Sequence, residues 1–291
     1  MGISYKWIGA GTMLSAILLS GCDLVNDAAQ AVRQDAQEVA FAAGNTVVGT
    51  VNDFAEHLTQ DGERIELSSQ RDIGSEAVLQ IDHKVGNIKI VQGTGNSVSV
   101  KTTIWFLNEK SYMKIAENAE TSLVSRNGKL EIVTNAKGHS DRDLWDWSQS
   151  KYGYSEFKID YEVEVPAAIT GFEIANNVGE VTMDQLKGSY QVENNVGKIV
   201  VNGASIMGKS SIKSDAGSLQ LNIKDAEKGS SLKANTNVGS IHASLEETLA
   251  CSLKLDSDLG IISGAPRGKS DLNGSGPLIT LSSSVGSISV E

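Results

Sequence analysis

With 291 residues, 40% hydrophobic and 21% charged, the chain is long enough for one large or two ordinary domains around a sizeable core. Its formal net charge of −11 excludes a bulk attraction to nucleic acid or to anionic lipid, because both would repel it. The two cysteines, Cys22 and Cys251, are too few for a disulfide framework and form no metal-ligand pattern.

Residues 1–22, MGISYKWIGAGTMLSAILLSGC, place one lysine (Lys6) before an apolar run of signal-peptide length. The run is too short and too glycine-broken to span a membrane. Its ending, Leu19-Ser20-Gly21-Cys22, resembles the bacterial lipobox, in which the cysteine thiol receives diacylglycerol and becomes the mature N-terminus. Lipidation of Cys22 is therefore expected, with the protein anchored to a membrane of the bacterial envelope and facing its non-cytoplasmic side. Each buried acyl methylene contributes about 0.8 kcal/mol, so lipid rather than charge would hold it there.

Residues 23–75 read as an acidic helical spacer. Val25, Ala29, Val32, Ala36, Val39 and Ala43 alternate at spacings of four and three, a helical stripe of small residues. Alanine at every second position buries too little for a coiled coil, so a spacer is favoured over a pairing stalk.

From Glu76 the apolar period changes to two. One phrase recurs, aligned on Gly86, Gly179, Gly197, Gly217, Gly239, Gly260 and Gly286. Apolar residues stand five and one before each glycine and two after it, and in most copies also seven before and four after. Gly264 is the break in the last of these columns. Small polar pairs such as Asn176-Asn177, Asn194-Asn195 and Ser283-Ser284 precede the glycine and read as a corner. Each phrase then describes two short strands that face alternate residues inward, and such coils bury their inner faces by stacking. The expected fold is all-β: a right-handed β-helix or β-solenoid of about seven short two-strand repeats, with a β-sandwich as the alternative. Residues 76–165 form its N-terminal part, with a short helix and an aromatic hairpin, and residues 166–291 form the repeat array.

This order resembles a bacterial adhesin-like domain family of unknown function, a β-helical envelope domain. The resemblance runs from about Glu76 to Glu291 and rests on LQIDHKVGNIKIV, GKLEIVT, YEVEVP and the array VGEVTM, VGKIVV, AGSLQL and VGSIHA. It implies a non-catalytic surface or envelope protein. The family has no agreed functional residues, so none is transferred.

Residues 139–161 concentrate aromatic side chains beside acids. Trp145, Trp147, Tyr152 and Tyr154 with Asp143 and Asp146 are the candidate ligand-binding set, able in principle to stack on sugar rings and accept their hydroxyls. The competing reading makes these aromatics a cap for the open end of the solenoid. Nothing calls for a cofactor or a metal. The four histidines are scattered, and Asp256-Ser257-Asp258-Leu259-Gly260 lacks the closing glutamate of a calcium loop. The expected role is a non-catalytic binding or scaffold module, adhesin-like, with a glycan or an envelope protein as partner. An envelope-stress signalling accessory and a polysaccharide-active β-helix enzyme are the alternatives. Because Val290 sits inward one residue before Glu291, the last phrase is expected to leave an uncovered edge for a homodimer.

Overall fold

The computed structural model describes residues 58–60, 62–108 and 110–291. Cys22 and most of the expected spacer lie outside the described residues. Before the array the elements are β1 (Glu63–Asp72), β2 (Val78–Val85), β3 (Ile88–Gln92), β4 (Ser97–Phe106), α1 (Lys110–Glu117), β5 (Ala119–Arg126), β6 (Lys129–Ala136), α2 (Leu144–Tyr152) and β7 (Phe157–Val165). The array continues with β8 (Gly171–Val178), β9 (Val181–Asp184), β10 (Lys187–Val196), β11 (Ile199–Ile206), β12 (Lys209–Ala216), β13 (Leu219–Ala226), β14 (Ser231–Val238) and β15 (Ile241–Leu245). It closes with β16 (Cys251–Leu259), β17 (Ile262–Ser263), β18 (Gly268–Leu272), β19 (Leu278–Val285) and β20 (Ile288–Val290).

Each phrase forms one coil, a strand before the glycine and a strand after it. First strands stack in parallel as one sheet, β6-β2-β8-β10-β12-β14-β19-β16. Second strands stack in parallel as the other, β7-β3-β9-β11-β13-β15-β20-β17. We call these the first and second sheets. Parallel pairing from coil to coil makes the fold a β-solenoid and sets aside the sandwich. Between the sheets lies the core: Leu79, Ile81, Ile88 and Ile90 of the first coil are each 0 or 1% exposed, and the same columns repeat down the stack.

The corners explain the repeated glycine. Gly179 has φ +134° and a Cβ there would lie 2.0 Å from the Gly86 carbonyl oxygen; Gly197 has φ +123° and would meet the Gly179 oxygen at 2.1 Å. Both conformation and close approach demand a bare Cα. The polar pairs are not the turn, however. They lie within the strands, and their first member points inward: Asn176, Asn194, Ser214, Thr236, Ser283 and Ser257 are each 0 to 3% exposed. Asn194 Nδ2 donates to the Gly179 carbonyl at 2.8 Å, and Ser283 Oγ to that of Gly239 at 3.1 Å. A buried polar column thus holds the carbonyls of Gly86, Gly179, Gly217, Gly239 and Gly286 to the next coil, while Ser214 Oγ makes no such bond, and the turn is left to the glycine and one further residue.

Three expectations change. Strand β1 falls inside the stretch read as spacer, pairing antiparallel with β4 from Glu63↔Phe106 to Asp72↔Ser97; its alternation in ERIELSSQRD was masked by acidic and serine residues. The segment between the first two phrases is itself a layer of the stack, because β6 and β7 pair in parallel with β2 and β3. Finally, the last phrase is not the last coil. β19 lies between β14 and β16, and β20 between β15 and β17. The cause is β18, which folds back antiparallel on the far edge of β16 and leaves only its near edge for β19. The expected uncovered edge is therefore paired on both sides at Ile288 and Ser289, and Val290 is paired with Ala243 of β15. The true end consists of a two-residue β17 and a five-residue β18 carrying Lys269 and Asp271 between Pro266 and Pro277. Short strands, lysine and proline are the means by which edges are blunted.

Candidate functional site

The candidate aromatic and acidic residues do come together, around α2, but they face the fold. Asp143 caps the helix, accepting from the Asp146 N–H at 2.8 Å, and Gly153 closes it in the left-handed region at φ 81°. Trp145 and Trp147 are each 5% exposed. Trp145 stacks on Phe157 with centroids 5.6 Å apart, donates Nε1–H to the Phe157 carbonyl at 3.2 Å and sets its edge against His83. Trp147 packs edge-on to Tyr152 with Lys151 over its ring. Tyr152 and Tyr154 are half-buried and stacked on each other, and Tyr154 also meets Tyr112. Neither Trp145 nor Trp147 presents an open ring face to a sugar. The reason is position: α2 bridges β6 to β7 at the N-terminal end of the stack, where the core would otherwise meet water.

The acids are engaged as well. The Lys84 ammonium lies 3.0 Å from the Asp143 carboxylate and also contacts that of Asp146. Burial pulls the Lys84 pKa down, but the hydrogen bonds it donates to the Asp146 and Asp143 carboxylates outweigh it and hold the ammonium above its ordinary value. His83 takes the column position filled elsewhere by Asn, Ser or Thr. Its Nδ1 lies 2.9 Å from Asn176 Oδ1, Nε2 has no partner, and burial pushes its pKa down. Burial likewise raises the Tyr161 phenol and the Cys251 thiol. Cys251, the first residue of β16, is 0% exposed and is a small core residue.

Open surface with converging polar groups lies on the outer faces of the sheets. A groove of ≈ 520 Å³ runs over β1, β4, β7 and β3, lined by Ser68, Gln70, Ser99, Lys101, Lys89, Glu162 and Glu164. Register explains it: Lys101 and Lys89 both stand opposite Glu162, while Ser99 and Val91 stand opposite Glu164. A second groove of ≈ 340 Å³ crosses the first sheet at Gln80, Asp82, Glu173, Gln191, Glu193, Ser211 and Lys213. Sequence reasoning missed both. Outward positions are legible as alternate residues of SVSVK and YEVEV, but their convergence depends on β4 returning antiparallel beside β7. One further contact, on the last phrase, joins Ser289 Oγ to His242 Nδ1 at 2.7 Å with Glu291 3.7 Å from Nε2. It sits on an exposed sheet face outside both grooves.

Among the described residues no group of three or more His, Cys, Asp or Glu could hold a metal ion. No helix among them is long and apolar enough to cross a membrane.

Solved structures to which the chain shows similarity include a candidate cell-adhesion protein from Clostridium sporogenes, 13% identical, covering 78% of this chain and 99% of that one at a TM-score of 0.42. A candidate adhesin from Bacteroides fragilis is 14% identical over 78% of this chain and 97% of that one, with a TM-score of 0.29. A candidate adhesin from Parabacteroides merdae is 9% identical over 78% and 96%, with a TM-score of 0.26. No curated protein matches the sequence. The Toastrack DUF4097 family model matches residues 160–257, from β7 through the central coils into β16, so this part of the chain is similar to that family.

Proposed function

We propose that the protein is a lipid-anchored, adhesin-like envelope module that binds without catalysis, and that the groove on the outer face of the second sheet is its ligand surface. The observation that carries this reading is the lining of that groove. Hydrogen-bonding side chains of both signs project from four strands in fixed register, and preorganised donors and acceptors on a rigid sheet suit a polar, extended ligand such as an envelope glycan. Its openness argues against chemistry that must exclude water. Asp143 and Asp146, the carboxylates a glycosidase reading would use, share the Lys84 ammonium, and Asp143 also caps α2.

Incubating the protein with purified cell-wall and capsular polysaccharides tests the two halves together. Binding with no release of reducing ends is expected; release of reducing ends defeats the non-catalytic reading, and absence of binding across the panel defeats the glycan reading. For the anchor, Cys22→Ser is expected to move the protein from the membrane fraction to the soluble one. Undiminished membrane association of that variant contradicts it.

A further inference from the structure

The two ends of the solenoid are built differently. At the β17–β18 end the strands are short and interrupted by charge and proline. At the other end β1 is ten residues long, in unbroken register with β4, and ERIELSSQRD contains no lysine, glycine, proline or bulge. Among the described residues nothing pairs with its outer edge, whose unpaired backbone groups form a template for another strand. We propose that β1 is a dimerisation edge, on which a second copy of this chain pairs β1 to β1 antiparallel about a two-fold axis at Ser68.

Face and charge select that register. Arg64, Glu66, Ser68, Gln70 and Asp72 point outward and the residues between them inward. A continuous sheet places outward residues opposite outward ones, so the axis passes through a residue and not between two. An axis at Ser68 sets Arg64 of each copy opposite Asp72 of the other, sets Glu66 opposite Gln70, and puts a small side chain at the crowded centre. An axis at Leu67 would instead rely on Glu63 opposite Arg71. That guanidinium is already taken, bonding the Leu123 carbonyl at 3.1 Å and Glu76 at 3.3 Å. Arg64 is held in place, its guanidinium 5.3 Å from the centre of the Trp105 ring. Because Ser68 and Gln70 line the groove, such pairing would join two grooves into one ligand surface across the dimer. The dimer is measured without ligand, so its failure leaves the glycan reading to its own test.

Residues directly opposite in an antiparallel pair have Cα atoms about 4.5–5.5 Å apart, within disulfide range. In the membrane-bound full chain, Ser68→Cys is expected to give a covalent dimer under mild oxidation, while Ser211→Cys on the other sheet stays monomeric. Arg64→Asp and Asp72→Arg, each removing two symmetric ion pairs and adding like-charge contacts, are expected to weaken the dimer by roughly tenfold apiece. The combined variant restores it. Three results would overturn the inference: no cross-link from Ser68→Cys, equal cross-linking from Ser211→Cys, or additive losses in the charge swap. Protection of β1 by the chain's own residues before 58 would show as the first of these.

Discussion

Gly197 concentrates what the fold asks of single residues. Its positive φ and its approach to the Gly179 carbonyl each forbid a side chain, so Gly197→Ala would have to displace a neighbouring coil. A loss of about 3 kcal/mol or more is expected by chemical denaturation, against about 1–2 kcal/mol for the same change at exposed Gly128, where φ is also positive (+77°) but a Cβ meets nothing within 4 Å. The glycine column was legible from sequence; the polar column beside it was not. Asn and Ser before a glycine suit a turn and a strand equally, and only the burial of Asn194 and its bond to the next coil separate the two. Glu76 is a second case. Hydrogen bonds from Ser125 and from the Gly74 N–H, with Arg71 nearby, hold its carboxyl at about 2 against an ordinary 4.5. A depressed carboxylate contributes its stability above the unfolded value and loses it as pH falls toward the folded one. Glu76→Gln should therefore be less stable than the parent at neutral pH, with the difference shrinking between pH 4.5 and 2. Thermal unfolding across that range checks the sign.

At the level of elements, the sequence showed the coils but not their order. Repeats imply that neighbours in sequence stack, yet β18 turns back on β16 and sends the last phrase inside the stack. Nothing in GAPRGKSDLNGSGP announces which edge of β16 it covers. Helix α2 teaches a related lesson. In LWDWSQSKY, Leu144, Trp145, Ser148 and Tyr152 recur at helical spacing, and such a stripe serves a core as well as it serves a ligand. Here Trp145 fills the end of the stack between His83 and Phe157. Trp145→Ala is expected to cost about 3–5 kcal/mol and to expose the N-terminal layer to proteolysis. If the variant instead keeps its melting temperature and loses only ligand binding, α2 is a binding element and not a plug.

For the molecule as a whole, the proposed ligand surface lies on one face of a stack of coils near its N-terminal end, and the proposed tether is Cys22. The groove could not be found by scanning for unusual residues, because its lining is ordinary: serines, a glutamine, two lysines and two glutamates on outward positions of four strands. What forms the groove is the order β1-β4-β7-β3, which brings together segments as far apart in sequence as Ser68 and Glu164. Lys89 and Glu162 lie across from each other in its floor and can be changed without touching the core. If the parent binds a polysaccharide of the proposed panel, the affinity of a Lys89→Ala, Glu162→Gln variant for that polysaccharide is therefore the most direct measurement. A loss of roughly tenfold or more at unchanged stability is expected; affinity equal to that of the parent would contradict the assignment of the ligand to this face.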